Sequence, residues 1–303
     1  MAKRVRWGLV PGICVGLCAL IVSGCAPCGF HFDVVADMRG YTPPEHPGEQ
    51  YFAGVCRAIQ AAGPGDFIVV PGDLDPPERV RATLDAELGT DYVWYPVVGN
   101  HELERPEDMV YLRAINADGA TLPGIVHQGP PGTIETCYSF DHESAHFVVL
   151  NQYYDGQTDA ALDGDVCDAL LAWLAEDLAA NTKPIVFVLG HEPTVAVGDL
   201  SNGRVRHRGD SLDKYPEHNH AFWSLLRQHN VVAYICGHTH NTSVAKVNGV
   251  WQIDAGHARG LGDKGTPSTF VKVFVEPDGV RCRVYRGDKD ARTYRPVFEE
   301  TLR

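Results

Sequence analysis

Basic residues are scarce in this sequence: 26 Lys and Arg stand against 39 Asp and Glu in 303 residues, a formal net charge of −13. A protein that binds nucleic acid along its phosphates needs a basic surface, so nucleic acid is excluded as a general partner. Charged residues are only 21 % and apolar residues 44 %. A disordered chain is thereby excluded, and a large core is expected. No internal repeat or low-complexity run interrupts the chain. No apolar run is long enough to span a membrane: Trp7 to Val22 is broken by Pro11 and Gly12 and falls short of the ~20 residues required. Among Cys28, Cys56, Cys137, Cys167, Cys236 and Cys282 no set has zinc-finger spacing.

The amino-terminal residues have a purpose of another kind. Lys3, Arg4 and Arg6 precede the apolar stretch, and Val22-Ser23-Gly24-Cys25 follows it. A basic start, a short apolar region and small residues before a cut site describe a secretory signal. Val-Ser-Gly-Cys resembles the bacterial lipobox, which implies a signal peptide over residues 1–24 and lipidation at Cys25. A lipid anchor would hold the protein at a membrane outside the cytoplasm. Residues 25–30 form a short tether, and 31–303 a single domain. An exported chain can form disulfides; the candidates are Cys28, Cys56, Cys137, Cys167, Cys236 and Cys282. Cys236 ends an apolar run and reads as a buried thiol.

Apolar runs lie at His31–Ala36, Phe67–Pro71, Val93–Val98, Ala145–Leu150, Pro184–Leu189 and Val231–Cys236. Amphipathic stretches separate several of them: Glu49–Ala62, Pro77–Leu88, Pro106–Ile115, Val166–Ala180 and Glu217–His229. Strands alternating with helices define a layered α/β domain. The carboxyl-terminal part holds short β-rich runs at Ser243–Val247, Val250–Asp254, Phe270–Val275 and Val280–Tyr285. Asn248-Gly249 and Pro277-Asp278-Gly279 read as hairpin turns between them. The mixture predicts two packed sheets flanked by helices. Ala117–Thr136, rich in Gly and Pro, reads as a lid or a crossing loop.

Five of the six apolar runs end on a polar side chain able to bind a metal. The ends are Asp37, Gly72-Asp73, Gly99-Asn100-His101-Glu102, Gly190-His191 and Gly237-His238-Thr239-His240. Ligands of open α/β sheets bind beyond the carboxyl ends of strands. Each residue alone has an ordinary explanation: a helix cap, a turn former or a packed His. Five such ends in one chain point instead to a shared site. Oxygens from two Asp and one Asn with nitrogens from three His suit Mn, Fe or Zn better than Ca.

At these residues the chain resembles the calcineurin-like metallophosphoesterase superfamily. The resemblance implies a four-layer sandwich of two mixed sheets between helices, with two divalent metal ions at one centre. It assigns Asp37 and His240 to the first metal, Asp73 to both, and Asn100, His191 and His238 to the second. His101 would act on the leaving group. The implied reaction is hydrolysis of a phosphomonoester or phosphodiester by water activated between two ions about 3.5–4 Å apart. One residue departs from the pattern: the usual His two positions after the first Asp is Arg39, which cannot ligate a metal. Arg39 reads as a phosphate contact or a structural ion pair. The departure also admits a catalytically weak, metal- or ligand-binding lipoprotein with the same fold. His257 and Arg259, in the Gly-rich loop 256–265, are candidates for lining the site. Arg204, Arg206, His207 and Arg208, in the loop Val195–Pro216, either steer an anionic substrate or form a solvated face.

Overall fold

The computed structural model describes residues 29–303, with Met1 and Lys3; the signal features and Cys25 lie outside these residues. The chain forms β1 (Phe30–Val34), α1 (Phe52–Ala61), β2 (Phe67–Val70), α2 (Pro77–Leu88), β3 (Val93–Pro96), α3 (Pro106–Ile115), β4 (Ile125–Gln128), β5 (Tyr138–His142) and β6 (Ala145–Val149). There follow α4 (Asp168–Ala180), β7 (Ile185–Leu189), α5 (Pro216–Gln228), β8 (Ala233–Cys236), β9 (Thr242–Val247), β10 (Val250–Ala255), β11 (Thr269–Glu276), β12 (Gly279–Gly287) and β13 (Tyr294–Thr301). One sheet has the order β13-β12-β11-β1-β2-β3, the other β4-β5-β6-β7-β8-β10-β9. Both are mixed: β1, β2 and β3 run parallel, as do β6, β7 and β8, while β11 lies antiparallel to β1.

Side chains alternate between the two faces of each strand, and this builds the layers. Phe67 and Val69 of β2 enter the core between the sheets, where they meet Phe147, Phe187 and Leu189. Ile68 and Val70 face outward onto Phe52, Val55 and Ile59 of α1. In β7, Val186 and Val188 face outward onto Leu170, Trp173 and Leu174 of α4 and Phe222 of α5. Burial on both faces is why these strands read as unbroken apolar runs. Each fully buried Phe or Leu contributes roughly 1.5–3 kcal/mol. The result is a four-layer α/β sandwich.

Helix starts follow local chemistry. α2, α3 and α5 each begin with Pro, whose missing N–H costs nothing in the first turn. α1 starts at Phe52 rather than Glu49 because Gly48–Tyr51 closes a turn first. Asn248 and Gly249 both take positive φ, as the tight β9–β10 hairpin requires.

Three strands lie where the sequence pattern pointed to none. β4 falls inside Ala117–Thr136, so that segment is part of the sheet and not a free loop. β4 and β13 are edge strands whose residues are mostly part-buried or exposed, so neither makes an apolar run. β5 is cut short by Asp141 and His142 at its end. Cys56, Cys137, Cys167, Cys236 and Cys282 are all free thiols, and four are buried. No helix among the described residues is long and apolar enough to cross a membrane.

Candidate metal centre

The loops after β1, β2, β3, β7 and β8 converge at the carboxyl edge shared by the two sheets. Their backbones are constrained there: Asp37, Asp73, His238 and His240 all have positive φ, between 55° and 69°. Side-chain-bearing residues rarely adopt this region, and clusters of them mark functional sites. Glycine makes the approach possible. A Cβ on Gly72 would lie 2.4 Å from His191 Nδ1, and one on Gly237 would lie 2.7 Å from Asp37 Oδ2.

Asp37, Asp73 and His240, all buried, bring one ligand atom each to within 4.8 Å of one another. His240 Nδ1 donates to Asp263 Oδ2 at 2.8 Å, so its lone pair is on Nε2, 3.7 Å from Asp37 Oδ1. Asp37 Oδ1 is buried and has no hydrogen-bond partner, although Asp37 Oδ2 accepts from the His238 N–H at 3.0 Å. A buried carboxylate oxygen left unpaired is costly. A cation among these three residues would satisfy it.

A second set of donors adjoins the first through Asp73. His191 Nδ1 donates to the Pro71 carbonyl at 2.7 Å, which leaves a lone pair on Nε2. His238 Nε2 donates to the Asp210 carbonyl at 3.3 Å, which leaves one on Nδ1. Each of these lone pairs lies 3.2 Å from the other and 3.2 Å from Asn100 Oδ1. Asp73 Oδ1 is 3.3 Å from His191 Nε2. Three or four electron pairs thus face one another with no proton between them, which is repulsive unless a cation intervenes.

The electrostatics agree. Burial, reinforced by the Asp73 carboxylate, pushes Asp37 well above the usual carboxylate range. Burial acts the same way on Asp73, but His191, His101 and His238 outweigh it and hold the group low. Burial, then His191 and His207, drive His238 well below the usual imidazole value, and burial takes His240 to about 4. The imidazoles are thereby neutral, as metal binding requires, whereas Asp37 favours its protonated form until a cation offsets the burial and the Asp73 charge.

His101 sits at the mouth of a cleft of about 560 Å³. Its Nδ1 is 2.7 Å from Glu104 Oε1, and its Nε2 is 3.6 Å from Asp73 Oδ2. Arg39 turns away from the Asp37 cluster. Its Nε donates to Asp75 at 3.1 Å, its Nη2 to Glu104 at 2.7 Å, and its Nη1 lies against the His101 ring, touching Nδ1 and 2.8 Å from Nε2. His257 requires a correction. It does not line the cleft: it is fully buried, with Nε2 donating to the Thr266 carbonyl at 3.0 Å and Nδ1 accepting from the Arg259 N–H. A ring spent on two backbone groups has nothing to offer a substrate. Arg259, from the same loop, does line the cleft.

Several supporting residues escaped sequence reasoning. Glu102 is buried, and its carboxylate accepts four backbone N–H bonds, from Gly99, Asp73, Leu74 and Asp75, at 2.6–3.1 Å. It thereby fixes the Asp73 and Asn100 loops to each other. Gln152 Oε1 accepts from the N–H groups of His191 and Glu192 at 2.7 and 2.6 Å. Gln152 follows β6, the one apolar run without a metal-binding end, so the exceptional strand supplies a support for its neighbour. Asp263 lies in the Gly-rich loop, with no motif around it.

The layered α/β fold thus gathers Asp, Asn and His from adjoining strand ends into one set of candidate metal ligands. The family model for calcineurin-like phosphoesterase matches residues 30–242, and the chain belongs to that family. No curated protein sequence matches it. Two solved structures share the fold at 14 % identity. PhoD aligns with a TM-score of 0.59, covering 91 % of this chain and 72 % of its own. GAP50, the anchor in the inner membrane complex of Plasmodium, aligns with a TM-score of 0.53, covering 91 % and 89 %.

Proposed function

We propose that this protein hydrolyses phosphate esters, monoesters or diesters, at a centre of two divalent metal ions. One observation carries the reading: two adjoining sets of buried oxygen and nitrogen donors share Asp73 and open onto a cleft lined by His101. Asp37, Asp73 and His240 would hold one ion, and Asp73, Asn100, His191 and His238 the other. The ions would polarise the phosphoryl oxygens and supply a nucleophilic water at neutral pH.

The remaining work falls to the chain. Glu104 on Nδ1 fixes the His101 ring so that Nε2 faces the cleft. Protonated on both ring nitrogens, His101 would pass the Nε2 proton to the departing ester oxygen and keep its Nδ1–H on Glu104. Arg39 occupies that space in the absence of substrate, and its planar fork suits a phosphate oxygen once it leaves the imidazole. The identification of the ions as Mn, Fe or Zn rests on the mixed oxygen and nitrogen donors. Lipidation at Cys25 and attachment to the outer side of a membrane rest on the amino-terminal pattern alone.

The test uses the full chain, reloaded with Mn²⁺, on p-nitrophenyl phosphate and bis-p-nitrophenyl phosphate, with Asp73→Ala as control. Turnover that vanishes in the control supports the reading, and the preferred ester separates monoesterase from diesterase. A protein that binds metal and turns over neither ester refutes general esterase activity. The second reading, a ligand-binding lipoprotein, is favoured by Arg39: it replaces a ligand and covers His101 Nε2. Stoichiometric ligand binding by a protein lacking both metal and turnover would establish it.

A further inference from the structure

Arginine is concentrated in the cleft of an otherwise acidic protein. Arg39, Arg79, Arg105, Arg206 and Arg259 all line it. Three have carboxylate partners: Arg39 with Asp75 and Glu104, Arg79 with Glu45, and Arg105 with Glu107. The other two lack a close one. The carboxylate oxygen paired with Arg206 is on Asp263, 3.9 Å away, and that oxygen already accepts from His240. Arg259 donates its Nε to the Asp37 carbonyl at 2.7 Å, lies over the Tyr41 ring, and has no carboxylate within 4.0 Å among the described residues.

The loop before Arg206 is held in place. Arg204 Nε donates to Asn241 Oδ1 at 2.8 Å, Asn241 Nδ2 donates back to the Arg204 carbonyl at 2.9 Å, and Asn202 Nδ2 reaches the Gly265 carbonyl at 2.8 Å. Asn241 directly follows His240, so Arg206 is fixed relative to the metal-ligand cluster. Burial, then the nearby Arg204 charge, lowers the Arg206 pKa and outweighs the carboxylates of Asp263 and Asp37. Two guanidiniums, one on an anchored loop with its carboxylate 3.9 Å away and one bonded only to a carbonyl, leave room for an anion between them. In a chain of net charge −13 a solvated basic face explains them poorly.

We propose that Arg206 and Arg259 form a second anion subsite beside Asp37 and His240, selecting phosphoesters whose organic part carries its own phosphate or carboxylate. The inference rests on the reading of the cleft as a phosphoester site. Charge-assisted contacts of this kind are worth about 10- to 100-fold in affinity.

The test is calorimetric binding to the Mn²⁺-loaded full chain, with probes that cannot be hydrolysed. Methylphosphonate carries one anionic group, phosphonoacetate adds a carboxylate, and methylenediphosphonate adds a second phosphonate. Wild type should bind at least one two-anion probe about 10-fold or more tighter than methylphosphonate, and the better of the two identifies the second group. In Arg206→Gln that ratio should fall to within about twofold of unity, and Arg206→Lys should keep part of it. A wild-type ratio near one overturns the proposal, as does an Arg206→Gln protein that weakens all three probes equally. Selective binding without turnover of any ester would leave the subsite standing and refute the hydrolase instead.

Discussion

Glu102 is the residue through which the metal loops can be tested without assuming any reaction. Its Oε1 accepts from Leu74 and Asp75, and its Oε2 from Asp73 and Gly99. Glu102→Gln keeps the shape but turns one acceptor oxygen into a donor NH₂, so two buried N–H groups lose their partner. Each unsatisfied buried group costs about 1–3 kcal/mol, so a loss of about 2–4 kcal/mol is expected after local relaxation. At roughly 2 °C per kcal/mol for a chain of this length, Tm should fall by about 4–8 °C. The same change unfastens Asp73 from Asn100, so metal affinity should fall along with stability. Denaturant unfolding of metal-free protein gives the first quantity, and titration with Mn²⁺ followed by metal analysis gives the second. A variant within about 0.5 kcal/mol of wild type that still binds metal normally would refute the clamp.

Four further outcomes are expected. His101→Ala should lose about 10²–10⁴-fold in turnover while retaining its metal, and unchanged turnover would refute its role. Asp263→Asn should weaken metal binding about 10- to 100-fold, because His240 loses the carboxylate that holds its Nδ1–H; metal titration decides this. His146 is buried, but its bonds to Asp177 and Asp141 outweigh the burial and raise its pKa. It therefore stabilises the fold fully below about pH 6.5 and loses that contribution as pH rises through the folded value, so His146→Gln should flatten urea-unfolding stability between pH 6 and 9. Cys25→Ser should abolish acyl labelling and release the protein from membranes, and persistent labelling would refute the lipobox reading.

Much of the fold was legible because strands buried on both faces leave continuous apolar runs, as at Phe67–Val70 and Ile185–Leu189. β4 and β13 were not legible, since an edge strand buries too little to leave such a run. The candidate ligands were legible as a set. Gly-Asn-His-Glu and Gly-His-Thr-His join a required turn to ligand side chains within four residues, so local sequence alone exposes them. Glu102 was visible inside one of these motifs, but its task was not, because three of the four N–H groups it serves come from a loop 27–29 positions earlier.

The sequence by itself determined the residue types at the strand ends, the layered α/β class, and the replacement of a ligand by Arg39. Each of these depends on short-range pattern. Tertiary structure alone decided that Arg39 pairs with Asp75 and Glu104, that His257 is buried, and that Gln152 and Asp263 brace the candidate ligands His191 and His240. It alone left Arg206 and Arg259 without close counter-ions. Whether a charge is paired depends on which distant loops meet it. Arg259 and Asp37 are 222 residues apart in the chain and 2.7 Å apart in the fold.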